Sequence, residues 1–189
     1  MKTVGVLALQ GSFFEHLCML KKIGTVKAIQ VKSRKELDMA DDLILPGGES
    51  TMQGKLLYDF GLIDPLREKI AQGLPVWGTC AGAILLAKTI VGGEMPHLGT
   101  MDITVRRNAY GSQLNSFMTT AVLPEVSAKP LPLVFIRAPW IEQVGTQVQT
   151  LSVLDGHIIA ARQKNMLATA FHPELTADER FHQYFINML

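Results

Sequence analysis

Along the first half of the chain, apolar runs alternate with stretches of helical spacing. Val4 to Leu9 is apolar throughout, as expected of a strand that a parallel sheet buries on both faces. Gln10-Gly11-Ser12 is a turn. Beyond it Phe13, Leu17, Leu20 and Gly24 recur at helical spacing, with Ser12 as the expected cap and Gly24 as the stop. Thr25 to Val31 predicts a second strand and Ser33 to Met39 a short helix capped by Ser33, with Glu36 three residues on. Asp42 to Leu45 predicts a third strand. After Pro75 a short apolar run passes through Gly78-Thr79-Cys80-Ala81-Gly82 into an alanine- and leucine-rich helix reaching Ala87. From there the apolar segments have strand length: Met101 to Val105, Phe117 to Leu123, Leu133 to Arg137, Thr150 to Leu154, His157 to Arg162 and Met166 to Phe171. Asp155-Gly156 marks a hairpin, and a helix from about Ala177 to Met188 closes the chain.

This order predicts an α/β fold: one three-layer domain over residues 1–189, with a central, mostly parallel sheet flanked by helices and a β-rich, partly antiparallel second half. Composition refines the picture by exclusion. Hydrophobic residues make up 48%, charged residues 19%, and the net charge is +1, so no broad attraction to nucleic acid or an anionic membrane follows. The N-terminal apolar run is too short for a membrane span. Cys18 and Cys80 lack the spacing of a disulfide framework or zinc site, and a reducing, cytoplasmic compartment is expected. Cys18 reads as a small core residue. His16, His97, His157 and His182 have no metal-ligand spacing and read as structural or exposed, His16 being a candidate partner contact beside the Gln10-Gly11 turn. Of the adjacent Phe13 and Phe14, at most one faces the core.

Three patterns carry chemistry. A strand, a Gly-x-Cys-x-Gly bend and a helix form an elbow whose glycines allow close packing and whose helix start favours a thiolate at Cys80; a buried structural cysteine fits the same five residues. Pro46-Gly47-Gly48-Glu49-Ser50-Thr51 puts bare N–H groups at a parallel strand end, where they can hold an oxyanion or carboxylate, or simply form a turn before a helix capped at Ser50. Ligands of open parallel sheets lie beyond the strand C-termini, so this loop and the elbow share an edge. Arg106-Arg107-Asn108 is a carboxylate clamp or a solvated edge. Late in the chain, His172-Pro173-Glu174 supplies a base and a carboxylate to orient it, as a thiol nucleophile requires.

Taken together, Leu9-Gln10-Gly11, the Gly47-Gly48-Glu49-Ser50-Thr51 loop, Gly78-Thr79-Cys80-Ala81-Gly82, Arg107-Asn108 with Gly111 and Gln113, Phe135-Ile136-Arg137-Ala138-Pro139 and Phe171-His172-Pro173-Glu174-Leu175-Thr176 closely resemble the class I (triad) glutamine amidotransferases. Within that group they resemble the glutaminase subunits of pyridoxal 5'-phosphate synthase, over essentially the whole chain. The resemblance implies hydrolysis of L-glutamine to glutamate and ammonia by Cys80, His172 and Glu174 through a thioester. It further implies an oxyanion site at the Gly48 and Ala81 N–H groups and substrate binding by Gly47, Gly48, Glu49, Arg107, Ile136 and Arg137. It implies no metal or organic cofactor, and delivery of the ammonia to a (β/α)8-barrel synthase subunit in a hetero-oligomer. Two positions depart from the family pattern, Ser112 where an arginine is expected and Trp140 after Ala138-Pro139. The alternatives are the glutaminase of another amidotransferase, such as imidazole glycerol phosphate synthase, a deglycase- or peptidase-like protein with a cysteine elbow, and a non-catalytic regulatory subunit.

Overall fold

The computed structural model describes residues 1–109 and 116–188. Its elements run β1 (Thr3–Leu7), α1 (Phe13–Ile23), β2 (Lys27–Val31), α2 (Arg34–Asp38), β3 (Asp42–Leu45), α3 (Ser50–Asp59), α4 (Ile63–Ala71), β4 (Val76–Thr79), α5 (Ala81–Leu86), β5 (Ala87–Ile90) and β6 (Met101–Arg106). The rest is β7 (Ser116–Leu123), β8 (Ser127–Ile136), β9 (Trp140–Val144), β10 (Gln149–Leu154), β11 (His157–Gln163), β12 (Met166–Thr169), a 3₁₀ turn (Pro173–Leu175) and α6 (Arg180–Ile186). None of the described helices is long and apolar enough to cross a membrane.

The main sheet has the order β2-β1-β3-β4-β12-β11-β9-β6-β5, with β10 paired to β11. From β2 to β12 every pairing is parallel, and direction reverses at β11. The ribbon β7–β8 stands apart as its own antiparallel pair. Strands β3, β4 and β12 are buried at every residue, which is why their sequences are apolar without alternation. Their side chains still alternate between two cores. Leu43, Leu45 and Val76 pack with Leu57, Leu66 and Ile70 from α3 and α4 on one face. Ile44, Trp77 and Leu167 pack with Leu17, Leu20, Phe181 and Phe185 from α1 and α6 on the other.

The structure departs from expectation in places that have local causes. Ala87 adopts extended dihedrals, so the apolar run after the elbow ends its helix at Leu86 and continues as β5 beside β6. β9 joins β6 to β11 where no strand was expected. Ser12 makes no side-chain cap to α1, and Glu49, not Ser50, caps α3, accepting from the Thr51 and Met52 N–H groups. Cys18 is exposed, because Leu17 and Leu20 take the core-facing positions of α1. His16 is fully buried and offers no surface to a partner. Phe13 packs against the core while Phe14 is 62% exposed. Asp155 and Gly156 both have positive φ and turn β10 into β11 as the hairpin pattern requires.

Candidate active site

The ends of β3, β4, β6, β8 and β12 and the starts of α3 and α5 converge on a cavity of about 290 Å³, and Cys80, Ala81, Gly48, Glu49, Arg107, Ile136, Arg137 and His172 all line it. Cys80 sits at the bend between β4 and α5 with φ 48° and ψ −102°, a backbone conformation that costs energy for any residue with a side chain. Its neighbours explain how the bend is sustained. A Cβ on Gly82 would run into the Leu45 carbonyl, and one on Gly78 would stand 2.6 Å from the Ala83 nitrogen. The Cys80 N–H donates to the Thr169 carbonyl at 2.8 Å, tying the bend to β12. The side chain is 6% exposed, with Sγ 4.0 Å from the Ile136 carbonyl oxygen.

His172 follows β12, and its N–H donates to the Val134 carbonyl at 2.8 Å. Its Nδ1 lies 2.7 Å from Glu174 Oε1, and its ring shares the cavity lining with the Cys80 side chain. Burial works to lower the His172 pKa, but Cys80 and Glu174 outweigh it and raise the value to about 10. Burial likewise pushes the Glu174 carboxyl up, and its neighbours His16, His172 and Ser12 overcome it, leaving about 2. The arrangement therefore holds an anionic carboxylate against a readily protonated imidazole.

The glycine loop meets this pair from the other side. Gly47 does not line the cavity; it packs against the His172 ring, leaving no room for a side chain. The loop is held by Gln10, whose Oε1 accepts from the Glu49 N–H at 2.9 Å, and by Gln53, whose Nε2 donates to the Gln10 and Pro46 carbonyls. Burial acts to raise the Glu49 pKa, yet the Met52 and Thr51 N–H groups and Arg107 keep it below the ordinary carboxylate range. Arg107 Nη1 donates to Glu94 at 2.6 Å and Nη2 to Glu49 at 3.1 Å. Arg137, at φ 43°, forms no ion pair among the described residues.

Every residue singled out for the site thus lies at this cavity or directly against it. The expectations for Gly111, Ser112 and Gln113 lie outside the described residues. Trp140 is elsewhere, stacked on His157 with ring centroids 3.5 Å apart. Sequence reasoning missed Ser12, whose hydroxyl donates to Glu174 Oε1 at 2.6 Å, and His16, whose Nε2 is 3.4 Å from Glu174 Oε2. Their i, i+4 placement at a helix start puts both on one face, but nothing in that spacing says what the face meets.

Residues 6–189 match the SNO glutamine amidotransferase family. The chain is 54% identical to pyridoxal 5'-phosphate synthase subunit PdxT of Ruminiclostridium cellulolyticum over the full length of both. It is 56% identical to the same-named subunit of Clostridium botulinum, over 97% of this chain and 95% of that one. A crystal structure of a glutamine amidotransferase superposes with a TM-score of 0.93 at 44% identity, covering 98% of this chain and 97% of that one.

Proposed function

Because this chain belongs to the SNO glutamine amidotransferase family, as a glutaminase subunit of pyridoxal 5'-phosphate synthase, we propose that Cys80, His172 and Glu174 carry its hydrolysis of L-glutamine. Cys80 Sγ attacks the side-chain amide carbon as its proton passes to His172, and a tetrahedral intermediate forms. The N–H groups of Gly48 and Ala81, both at the cavity, receive its oxyanion. His172, protonated and steered by Glu174, gives a proton to the departing ammonia and leaves a thioester. The same ring, now neutral, takes a proton from water as it attacks the thioester, releasing glutamate and returning the thiol. The observation that carries this reading is the convergence of the Cys80 bend and the 2.7 Å His172–Glu174 pair on one cavity.

Arg107 and Arg137 are the cations at that cavity and suit the α-carboxylate of glutamine, while Glu49 suits its α-ammonium. Gly48 and Ile136 complete the substrate wall, with Gly47 behind it against the His172 ring. The ammonia passes to a synthase subunit, a (β/α)8 barrel in a hetero-oligomer with this chain. The continuity of the main sheet from β2 to β5 supports reading residues 1–189 as one glutaminase domain. A reducing cytoplasm suits a chemistry that depends on a free thiol at Cys80.

The test is glutamate release from L-glutamine by the wild type and Cys80→Ala, each with and without the synthase subunit. Turnover that depends on Cys80 and is raised by the synthase supports the reading. Undiminished turnover in Cys80→Ala would overturn it, and activation instead by an imidazole glycerol phosphate synthase subunit would reassign the partner.

A further inference from the structure

We propose that His16 and His182 are positioning residues for the reaction: a buried pair of neutral rings that holds the second oxygen of Glu174 from behind. The inference rests on the reading of Glu174 as the carboxylate that orients His172. It begins with an asymmetry in that carboxylate. Oε1 is held twice, by His172 Nδ1 at 2.7 Å and by the Ser12 hydroxyl at 2.6 Å. Oε2 has no hydrogen-bond donor among the described residues, and the ring nitrogen that faces it is His16 Nε2, at 3.4 Å. His16 Nε2 is also 3.3 Å from Thr79 Oγ1, and its Nδ1 is 2.9 Å from His182 Nε2. Three separate elements therefore meet behind one carboxylate: α1 through Ser12 and His16, α6 through His182, and β4 through Thr79.

The chemistry assigns the protons. An ionised carboxylate only accepts, so the His16 proton belongs on Nε2, the nitrogen that hydrogen-bonds Thr79 and lies nearest Glu174 Oε2. Nδ1 of a neutral His16 then accepts, which places the His182 proton on Nε2. His182 Nδ1 is left as a buried acceptor with no partner among the described residues, the tolerable end for such a chain, since under-satisfied acceptors are commoner than orphaned donors.

Both rings are fully buried, and Trp77 meets both edge-on, with centroids 5.6 Å from His16 and 5.0 Å from His182. Burial holds both imidazoles below their ordinary pKa. For His16 the charges of Glu174 and Glu15 act in the raising direction and His172 in the lowering one. For His182, His16 lowers and Glu174 raises. Neutrality is what gives the pair its use. A lysine or arginine at this place would cancel the charge that Glu174 exerts on His172. A neutral donor fixes the carboxylate plane and leaves its full charge directed at the catalytic ring.

The experiment uses the full chain with its synthase subunit and three variants: His16→Gln, His16→Asn and His182→Phe. The glutamine amide nitrogen reaches about as far as Nε2 and can still donate to Glu174, whereas asparagine reaches only the Nδ1 position. The relay predicts that His16→Gln keeps kcat within about threefold of wild type. It predicts that His16→Asn loses at least about tenfold in kcat with KM within about twofold. The His172 ring, followed by NMR, should titrate about one pH unit lower in His16→Asn than in wild type and near wild type in His16→Gln, a tenfold change in its proton affinity. Glutamine and asparagine variants alike in kcat and in His172 titration would reduce His16 to a filler of space and overturn the inference. If neither His16 variant folds, His182→Phe decides: a lower kcat and His172 titration support the relay, and wild-type values for both overturn it. The ring titration needs no turnover. A chain in which Cys80→Ala hydrolyses glutamine as wild type does would therefore refute the reading of the site while the relay is still judged by His172.

Discussion

Gly47 packs so closely against His172 that a Cβ added to it would lie 2.7 Å from the ring's Nδ1 and clash outright with Cε1. The ring cannot yield freely. His172 is buried, and its Nδ1 is pinned by Glu174 at 2.7 Å. Gly47→Ala therefore forces His172 out of line with the thiol while leaving the substrate wall in place. A displacement near 1 Å in a reacting group costs about 100-fold in rate. The expected result is a kcat lower by about 100-fold with a KM close to wild type, in a protein whose circular dichroism spectrum is unchanged. A variant with wild-type kcat would show that the ring has room the geometry denies it.

The His172–Glu174 pair also sets a pH window for stability. The His172 pKa stands at about 10, above its ordinary 6.5, so its contribution is full below 6.5 and disappears as pH rises through about 10. The Glu174 pKa stands at about 2, below its ordinary 4.5, so its contribution is full above 4.5 and disappears as pH falls through about 2. Both are complete between 4.5 and 6.5. Removing one partner of a buried pair costs on the order of 3 kcal/mol. Urea unfolding should find wild type more stable than Glu174→Gln by about that amount near pH 5.5, with the gap narrowing steadily toward pH 10. A gap that stays constant across this range would mean that the pair is not ionised in the fold.

The elbow makes a third prediction, on stability alone. A Cβ at Gly82 would collide with the Leu45 carbonyl, a backbone atom in the centre of the parallel sheet, where nothing can rotate aside. Overpacking a buried site costs about 1–3 kcal/mol. Gly82→Ala should lower the urea midpoint accordingly, whereas Gly92→Ala should cost less, because a Cβ at Gly92 meets nothing within 4 Å and only its positive φ resists. Equal losses at the two sites would remove the packing explanation.

The same contrast between local and distant causes governs what the sequence disclosed. β3 and β4 were legible because strands buried on both faces are written as unbroken apolar runs. β5 was not, since Ala87 extends an apolar helical run and only pairing with β6 turns it into a strand. β9 shows one buried residue, Ile141, in five, too little alternation to register. At the site, Cys80 between glycines and His172 two residues from Glu174 are local patterns, and each could be read from its neighbours. Ser12 and His16 reach Glu174 across more than 150 residues, and no spacing announces a contact of that kind. Glu49 acts as the cap of α3 while also facing Arg107, a double role that propensity alone assigned to Ser50.

Arg107 is already engaged by the protein's own carboxylates, and this bears on substrate affinity. Its guanidinium bonds Glu94 at 2.6 Å, Glu49 at 3.1 Å and Thr51 at 3.3 Å. If Arg107 receives the α-carboxylate of glutamine, one of these contacts must give way. Glu94 is the one free to leave: it is exposed and follows Gly92 and Gly93, both at positive φ, whereas Glu49 is held by the start of α3. An exposed ion pair is worth about 0.2–1 kcal/mol, so abolishing the competitor should tighten binding only modestly. Glu94→Gln is expected to lower KM for glutamine by about two- to fivefold with kcat unchanged, and the advantage should shrink in high salt as the competing pair is screened in wild type. A KM that rises would assign Glu94 the opposite part, holding Arg107 in the pose that the substrate needs. Steady-state glutaminase kinetics at low and high ionic strength, on wild type and Glu94→Gln with the synthase present, separate the two outcomes.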